Sequence, residues 1–417
     1  MHWGRRNAAA KERVFVNHNM GGNVHAISSK QSLRTPRRLL SAAAVAAALS
    51  TAQAGAVEIQ SGDWTVDVGG IINAYATSVS CSGDNVGGPA LGGRGLGCSG
   101  ESSKTSIGNG LLPSGLITKF KTTQEGLDIG GTIGIMVHAA TTSSIGANSG
   151  VDVRQAFFTI GTADAGTLKI GRDYGVFGAN AILSDMTLLG AGAPDQATQR
   201  GRVTLGHIGA GYTYLGTYGQ MTYTSPVVGG GFTFTGALVS PVDAGAYVSK
   251  SGPQVQAQLA WAHEGFKAWV GGKTQHFSIA GGGDGFTETA GEIGASFTSG
   301  PFGVLANFQT GKGIGILADG DEGAIKGRNY FVQGTFKLSD KLKFGLNYGE
   351  SRNSDNNLLN DALNASFKSN SNITAGLYYS LTKSITLAGE LGDTRSKDYL
   401  GHTAKMFGGS FGGIIFF

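Results

Sequence analysis

The sequence predicts an all-β fold, a transmembrane antiparallel β-barrel of about sixteen strands. Apolar and polar residues alternate in many segments, and the connections between these segments alternate between short and long. The polar faces carry Gln, Asn, Thr and Gly more than Lys and Glu. Alternation with a period of two is typical of strands with two unlike faces, and alternating connection lengths are typical of barrels with tight turns at one end and longer loops at the other.

The alternation recurs in the segments 127–139, 254–261, 341–348, 371–381 and 384–391. In the second of these, glutamines at 254, 256 and 258 alternate with apolar residues at 255, 257 and 259. No stretch beyond residue 54 has a convincing helical period. The longest apolar run, 39–49, is shorter than the ~20 residues that a transmembrane helix needs.

A soluble sandwich would bury the apolar faces of these strands, whereas a membrane barrel turns them to lipid and its polar faces to a wet lumen. The number of strands exceeds that of an ordinary sandwich. The chain also ends on a strand, 408–417, in which Phe411, Ile415 and Phe417 alternate. The barrel must close, because hydrocarbon cannot form hydrogen bonds with the backbone N–H and C=O groups of an open strand edge. These features favour the membrane barrel.

Residues 34–54 are predicted to be a secretory signal peptide. Arg34, Arg37 and Arg38 precede the alanine-rich apolar run, and Ala-Gln-Ala at 52–54 has the small-x-small cleavage pattern. Residues 1–33 show no such pattern and are interpreted as a dispensable or over-extended segment, since Met20 is an alternative start. We therefore expect residues 55–417 to form a single barrel domain.

Composition and charge argue against a soluble protein and against a nucleic-acid-binding protein. The chain has 71 glycines, 8 prolines and 14% charged residues, which is far fewer charges than the ~25% of soluble proteins. Residues 1–54 hold 8 of the 32 basic and 1 of the 28 acidic residues, so the remaining chain has a formal charge of −3. The overall positive charge therefore gives no reason to expect a nucleic-acid partner.

Cys81 and Cys98 are the two cysteines of the chain, and both lie in a stretch rich in Gly and Ser. Export leads to an oxidising compartment, so we expect a disulfide between them. Two thiols without a nearby histidine cluster do not predict a metal site.

The most specific motif spans about residues 152–190. It consists of RQAFFTIG at 154–161, GTLKIGRDYGVF at 166–177 and ILSDM at 182–186. In order and spacing it resembles the general-diffusion porins of Gram-negative bacteria, in which a long loop after the second of these strands folds into the barrel and narrows it. The terminal Phe417 is similar to the signal by which the barrel-assembly machinery recognises that family. The resemblance implies a sixteen-stranded homotrimer with an inward-folded constriction loop.

In that family, basic residues of the wall face acidic residues of the loop across the pore. By resemblance, Arg154 is a wall arginine and Asp185 a loop carboxylate, although Asp185 is equally compatible with capping a short helix. The loop has Leu189 where the family often has a second acid, which shifts the expected balance towards anions. Further basic candidates for the constriction are Lys119, Lys121, Arg172, Arg200 and Arg202, with His207 as an alternative to the last two. Arg172 is as compatible with anchoring the barrel wall.

The sequence does not predict a metal-binding, hydrolytic or nucleotide-binding site. The acidic run at 319–322 is interpreted as a solvated external loop, since it lacks EF-hand spacing. The G-x-S-x-G pattern at 408–412 lies within the last strand, where no helix follows to make a nucleophile elbow. No P-loop or zinc-binding spacing occurs, and no cofactor or metal is expected.

The resemblance therefore predicts an outer-membrane porin for passive diffusion of small hydrophilic solutes and ions. The protein would contact outer-membrane lipids and would not be an enzyme. The alternatives are a channel selective for one class of solute, a barrel enzyme with a catalytic cluster at its rim, and an adhesin whose loops outweigh its strands.

Overall fold

The structure is a computed structural model that describes residues 56–139, 151–192, 204–249, 252–354 and 366–417. The predicted signal peptide and the segment before it lie outside these ranges, and their boundaries stay predictions. No helix within the described ranges is long and apolar enough to cross a membrane.

The described residues form nineteen strands and two short helices. The strands are β1 (Val57–Ser61), β2 (Trp64–Gly83), β3 (Ser103–Gly108), β4 (Ser114–Gln124), β5 (Leu127–Val137), β6 (Val151–Thr162), β7 (Gly166–Tyr174), β8 (Thr217–Thr224), β9 (Phe232–Val239), β10 (Tyr247–Val248), β11 (Gln254–His263), β12 (Phe266–Ile279), β13 (Phe286–Ser299), β14 (Phe302–Lys312), β15 (Lys326–Lys337), β16 (Leu342–Asn353), β17 (Phe367–Ser380), β18 (Ile385–Asp398) and β19 (Thr403–Phe416). The helices are α1 (Ala179–Ser184) and a 3-10 helix at Met186–Leu189.

Sixteen of these strands make the barrel wall, because β1, β3 and β10 are short additions along the edges of β2 and β12. Neighbouring strands pair antiparallel, and β19 pairs with β2 to close the barrel. The predicted all-β antiparallel barrel of about sixteen strands is confirmed.

The strands alternate because their two faces meet different surroundings. On β14, Phe302, Val304 and Phe308 point outwards and are 61%, 55% and 40% exposed, whereas Asn307 and Gln309 point inwards and are buried. The same division holds on β5, whose outward set includes the apolar residues that the sequence placed on one face. The outer surface is thus apolar where lipid would lie, and the inner surface is polar.

The closure depends on two glycines that pack against the end of the chain. Gly70 and Phe417 exchange backbone hydrogen bonds of 2.7 and 3.1 Å. A Cβ on Gly69 would lie 2.5 Å from the Phe417 carbonyl oxygen, and one on Gly70 would lie 2.7 Å from the Phe417 ring. Glycine is therefore needed at both positions for the terminal residue to pack against β2. Phe417 lies at this junction, and its role as an assembly signal stays a prediction.

The two ends of the barrel differ. Glu125-Gly126 and Glu264-Gly265 are two-residue hairpin turns in which both residues have positive φ, as expected of type I′ turns. The opposite end carries long connections, including 84–102, 175–216 and 313–325. Parts of all three fold inwards and bury apolar side chains inside the barrel, among them Leu91, Ala181, Tyr212 and Ile314.

Candidate functional site: a loop-lined constriction

The candidate constriction lies at the connection between β7 and β8, whose described parts, residues 175–192 and 204–216, we call the inward loop. Its first residues are fixed to the wall through backbone N–H groups. Val176 N and Phe177 N donate to Gln256 Oε1 on β11 at 2.7 and 3.0 Å, and Gly178 N donates to both carboxylate oxygens of Glu292 on β13 at 3.1 Å. Wall side chains thus supply the acceptors that an irregular buried backbone lacks.

The loop then follows the wall towards β18. Met186 N donates to Gln333 Oε1 at 2.7 Å, and Ala191 N and Gly192 N both donate to Glu390 Oε2 at 2.7 Å. Glu390 is buried and also accepts from the Tyr378 hydroxyl at 2.6 Å. This carboxylate therefore fixes the middle of the loop.

Asp185 lies between α1 and the 3-10 helix and is 3% exposed. Its Oδ1 accepts from Thr187 N at 2.9 Å and from Asn347 Nδ2 at 3.3 Å, and its Oδ2 accepts from the Tyr212 hydroxyl at 2.7 Å. Burial, and next the neighbouring Asp185 charge, raises the pKa of Tyr212 well above its usual value. The carboxylate caps the 3-10 helix and ties the loop to β16, which is the capping alternative from the sequence.

The second described part of the inward loop, residues 204–216, forms hydrogen bonds with side chains of β14 and β16. His207 Nε2 lies 2.9 Å from Asn347 Oδ1, Gly211 N donates to Ser351 Oγ at 3.0 Å, and Thr213 N donates to Gln309 Oε1 at 3.1 Å. His207 is fully buried and does not contribute an accessible charge to the constriction.

An apolar cavity lies between the inward loop and the wall made by β2 to β7. The wall side includes Ile71, Ile117 and Met136, and the loop side includes Ile182, Leu188, Ile208 and Leu215. Arg154, Tyr174 and Tyr214 also line it. Of the described residues around the cavity, Arg154 is the charged one, and the lining contains no carboxylate.

Arg154 faces inwards because of a β-bulge. Gly134 of β5 pairs with Gln155, and the next residue, Ile135, pairs with Val153, so Arg154 is the extra residue on β6. A bulge of this kind re-aims a side chain within a regular ladder. Arg154 is 4% exposed and bonds through Nε to Asp152 Oδ2 at 2.8 Å.

Lys119 and Lys121 are also on the inner face, but nearer the short turns. Lys119 pairs across the ladder with Asp67 on β2, and Lys121 Nζ lies 3.6 Å from Asp67 Oδ2. Neither lysine lines the apolar cavity. The structure therefore places them in a separate patch of the lumen, balanced by an acid of the neighbouring strand.

Arg172 is not brought to the constriction. Lys169 and Asp173 face inwards and lie 2.5 Å apart, so the alternation turns Arg172 outwards. Arg172 is exposed and donates to Thr217 Oγ1 at 3.2 Å. This corrects its expected pore role and agrees with a wall anchor. Arg200 and Arg202 lie outside the described residues.

Cys81 at the end of β2 and Cys98 in the following loop form a disulfide with an S–S distance of 2.01 Å. Both residues are buried against Val79 and Met406. The bond fixes segment 84–102, which folds inwards: Leu91 N donates to Asn370 Oδ1 at 3.0 Å and Gly92 N donates to Ser396 Oγ at 2.8 Å.

Loop 313–325 also folds inwards, which corrects the interpretation of its acidic run as a solvated external loop. Asp319 is 4% exposed and forms a buried ion pair with Lys273 of β12, which also contacts Glu288 at 3.1 Å. Asp321 accepts from the backbone nitrogens of residues 316, 317 and 318 at 2.7–3.1 Å. No local pattern pairs Lys273 with Asp319, because their partnership depends on loop closure across the lumen.

Comparisons with known proteins agree with this geometry. Residues 40–399 match the family model of the Gram-negative porins. The fold is similar to the outer membrane channel DcaP of Acinetobacter baumannii, with 19% identity, a TM-score of 0.65, and coverage of 86% of this chain and 99% of that one. It is also similar to Salmonella typhi OmpF (16%, TM-score 0.54, 85% and 100%) and to OmpT of Vibrio cholerae (12%, TM-score 0.53, 87% and 100%). The sequence matches no curated protein.

The family match spans most of the chain, and the barrel closes as a membrane-spanning sheet with an inward loop. The chain belongs to the Gram-negative porins and forms an outer-membrane channel for passive diffusion of small hydrophilic solutes.

Proposed function

We propose that solutes cross this barrel between the inward loop and the β2–β7 wall, that the passage favours anions, and that no catalytic step occurs. The observation that carries the proposal is the position of Arg154 in a cavity whose described lining is otherwise uncharged. A fixed charge in a narrow, low-dielectric passage acts more strongly on an ion than it would in bulk water. Neither Asp185 nor Asp152, the ion-pair partner of Arg154, is among the residues that line this cavity.

The test compares Arg154→Gln with Arg172→Gln, which removes the same charge from the outer face. Reversal potentials are measured in planar bilayers under a salt gradient. We expect the wild type and Arg172→Gln to favour anions equally, and Arg154→Gln to shift by several-fold in permeability ratio towards cations. Equal shifts in both variants, or none in either, would place the selectivity elsewhere in the lumen.

A channel selective for one solute class remains the second candidate. The apolar lining beside an arginine and the hydroxyls of Tyr174 and Tyr214 favours it over a purely hydrophilic pore. A solute flux that saturates, or competition between solutes, would distinguish it from free diffusion, in which the flux rises linearly with solute concentration.

We further propose that the protein is a homotrimer whose interface includes the outward face of β2. This face carries small residues, Ala74, Ala76, Ser78, Ser80 and Ser82, where other strands carry large apolar ones. Small residues allow close backbone approach between subunits but match lipid poorly. Ala76→Trp is expected to dissociate the trimer in native electrophoresis, whereas Ala257→Trp on the outward face of β11 is expected to leave it intact. A trimer that survives Ala76→Trp would place the interface on other strands.

A further inference from the structure

The apolar cavity beside Arg154 has two chemically different ends. On the wall side, Ile71 of β2, Ile117 of β4 and Met136 of β5 form an apolar end. Arg154 of β6 and Tyr174 of β7 form the other end. These five strands are consecutive neighbours in the barrel. The wall of the cavity therefore changes from apolar to cationic from one strand to the next.

The inward loop covers this wall with apolar side chains. The space between loop and wall measures about 640 Å³ with its open side included. Pockets that bind small molecules usually measure about 300–1,000 Å³ and combine a mostly apolar lining with a few polar groups. The loop contributes Ile182, Leu183, Leu188, Ile208 and Leu215 to the lining. The size and the lining are thus those of a ligand site rather than of a uniformly polar pore.

The polar end is suited to a carboxylate. Arg154 is bonded through Nε to Asp152, and the phenol groups of Tyr174 and Tyr214 lie beside it. The terminal nitrogens of an arginine match the two oxygens of a carboxylate, and a phenol O–H can donate to the same group. The apolar surroundings strengthen such a charge-assisted contact, because water screens it less than at an open surface.

The spacing of the strands sets the length of solute that reaches both ends. Neighbouring strands lie about 4.8 Å apart, so β4 and β6 are separated by about 10 Å. A carboxylate bound at Arg154 therefore leaves room for one aromatic ring, or a short branched chain, to contact Ile117 and Met136. A single-atom anion bound at Arg154 cannot reach these apolar side chains.

We infer that the cavity binds small amphipathic monocarboxylates, with the carboxylate at Arg154 and the apolar body against Ile117 and Met136. This inference rests on the proposed passage between the inward loop and the β2–β7 wall, and it names the class of solute retained there. A neutral solute of the same shape lacks the contact with the arginine, and a small hydrophilic anion lacks the apolar contact.

The test uses the full protein in planar bilayers and measures how strongly three probes block the chloride current. Benzoate has both the ring and the charge, benzyl alcohol has the ring alone, and acetate has the charge alone. We expect benzoate to reach half-block at a concentration about tenfold lower than either of the others. Half-block by benzoate and acetate at the same concentration would overturn the inference.

Two methionine variants test the apolar end. Met136→Gln makes this part of the cavity polar, whereas Met406→Gln makes the same change on β19, where the side chain packs against Cys81 and Cys98. Met136→Gln should weaken the block by benzoate several-fold more than the block by acetate. Met406→Gln should leave the block by both probes as in the wild type. Equal effects of the two variants on the block by benzoate would contradict the assigned site.

Arginine variants separate this inference from the proposed anion preference. Arg154→Lys keeps the charge but removes the paired donors, so it should keep the reversal potential close to that of the wild type and weaken the block by benzoate about tenfold. An anion preference that depends on Arg154, combined with equal block by benzoate and acetate, would retain the proposed function and reject the inference. Block by benzoate that persists unchanged in Arg154→Lys and Arg154→Gln would reject the inference whatever the reversal potential.

Discussion

Both carboxylate oxygens of Glu292 lie 3.1 Å from the backbone nitrogen of Gly178, where the inward loop begins α1. Gly178 has a φ of 80°, so its backbone is turned into a conformation that glycine adopts without strain. Glu390 plays the same role at Ala191 and Gly192. The inward loop is therefore held by acids of the wall that bind its backbone, independently of most of its side chains.

Glu292→Ala is expected to loosen the inward loop. A charge-assisted hydrogen bond contributes about 1.5–3 kcal/mol, so the detached state should become roughly ten to a hundred times more populated. Single-channel recordings should show more frequent conductance fluctuations. Glu292→Gln retains one acceptor and should have a smaller effect. Recordings from the alanine variant as quiet as those of the wild type would contradict this anchoring role.

Asp185→Asn is expected to change selectivity little, because the Asp185 carboxylate is buried and bonded to three donors rather than exposed to the passage. The substituted amide would keep an acceptor for Thr187 N but would turn a donor towards Asn347 or Tyr212. We therefore expect a lower thermal midpoint of the folded barrel and an unchanged reversal potential. A shift in reversal potential as large as that of Arg154→Gln would show that Asp185 acts on permeating ions.

Reduction of the Cys81–Cys98 disulfide is expected to free segment 84–102 from the lumen. A disulfide that closes a loop of this length stabilises the folded state by about 3 kcal/mol, because it lowers the conformational entropy of the unfolded chain. Limited proteolysis at Arg94 or Glu101 should therefore be faster after reduction or in Cys98→Ser. The barrel itself should stay folded, since its strands do not depend on the bond. An unchanged proteolysis rate would mean that Asn370 and Ser396 suffice to hold the segment.

Loop 313–325 is expected to dock more firmly as the pH falls. Burial raises the pKa of Asp321 from 3.8 to about 6, so the docked loop binds a proton more tightly than the released loop does. Docking is then favoured as the pH falls through about 6, and this advantage is lost above it. Conductance fluctuations caused by this loop should therefore become less frequent as the pH is lowered from about 7.5 to about 5. Asp321→Asn should remove the dependence, and a dependence that persists in this variant would contradict the assignment to Asp321.

The sequence predicted the barrel because period-two alternation is a local property of each strand. On β5 the predicted apolar set, including Leu127, Ile133 and Ile135, is the outward set of the structure. The contacts of the inward loop were not predictable in this way. Gln256, Glu292 and Glu390 are ordinary inward positions in the sequence, and their partners are backbone N–H groups that carry no residue signature.

Arg172 shows a second limit of the sequence. The motif at 166–177 is as compatible with a wall anchor as with a pore role for Arg172, and the strand alternation set by Lys169 and Asp173 turns this side chain outwards. Arg154 was assigned inwards by resemblance, whereas the bulge that aims it became visible in the pairing with Gly134 and Ile135. Motifs locate the strands, and register decides which side chains reach the lumen.

The most direct test of this account is the single-channel conductance and reversal potential of the refolded protein in a planar bilayer under a salt gradient. We predict ohmic conductance steps that occur in threes, and a reversal potential that shows preference for anions and weakens in Arg154→Gln. A folded, heat-modifiable barrel that conducts no ions, or that favours cations with or without Arg154, would contradict it.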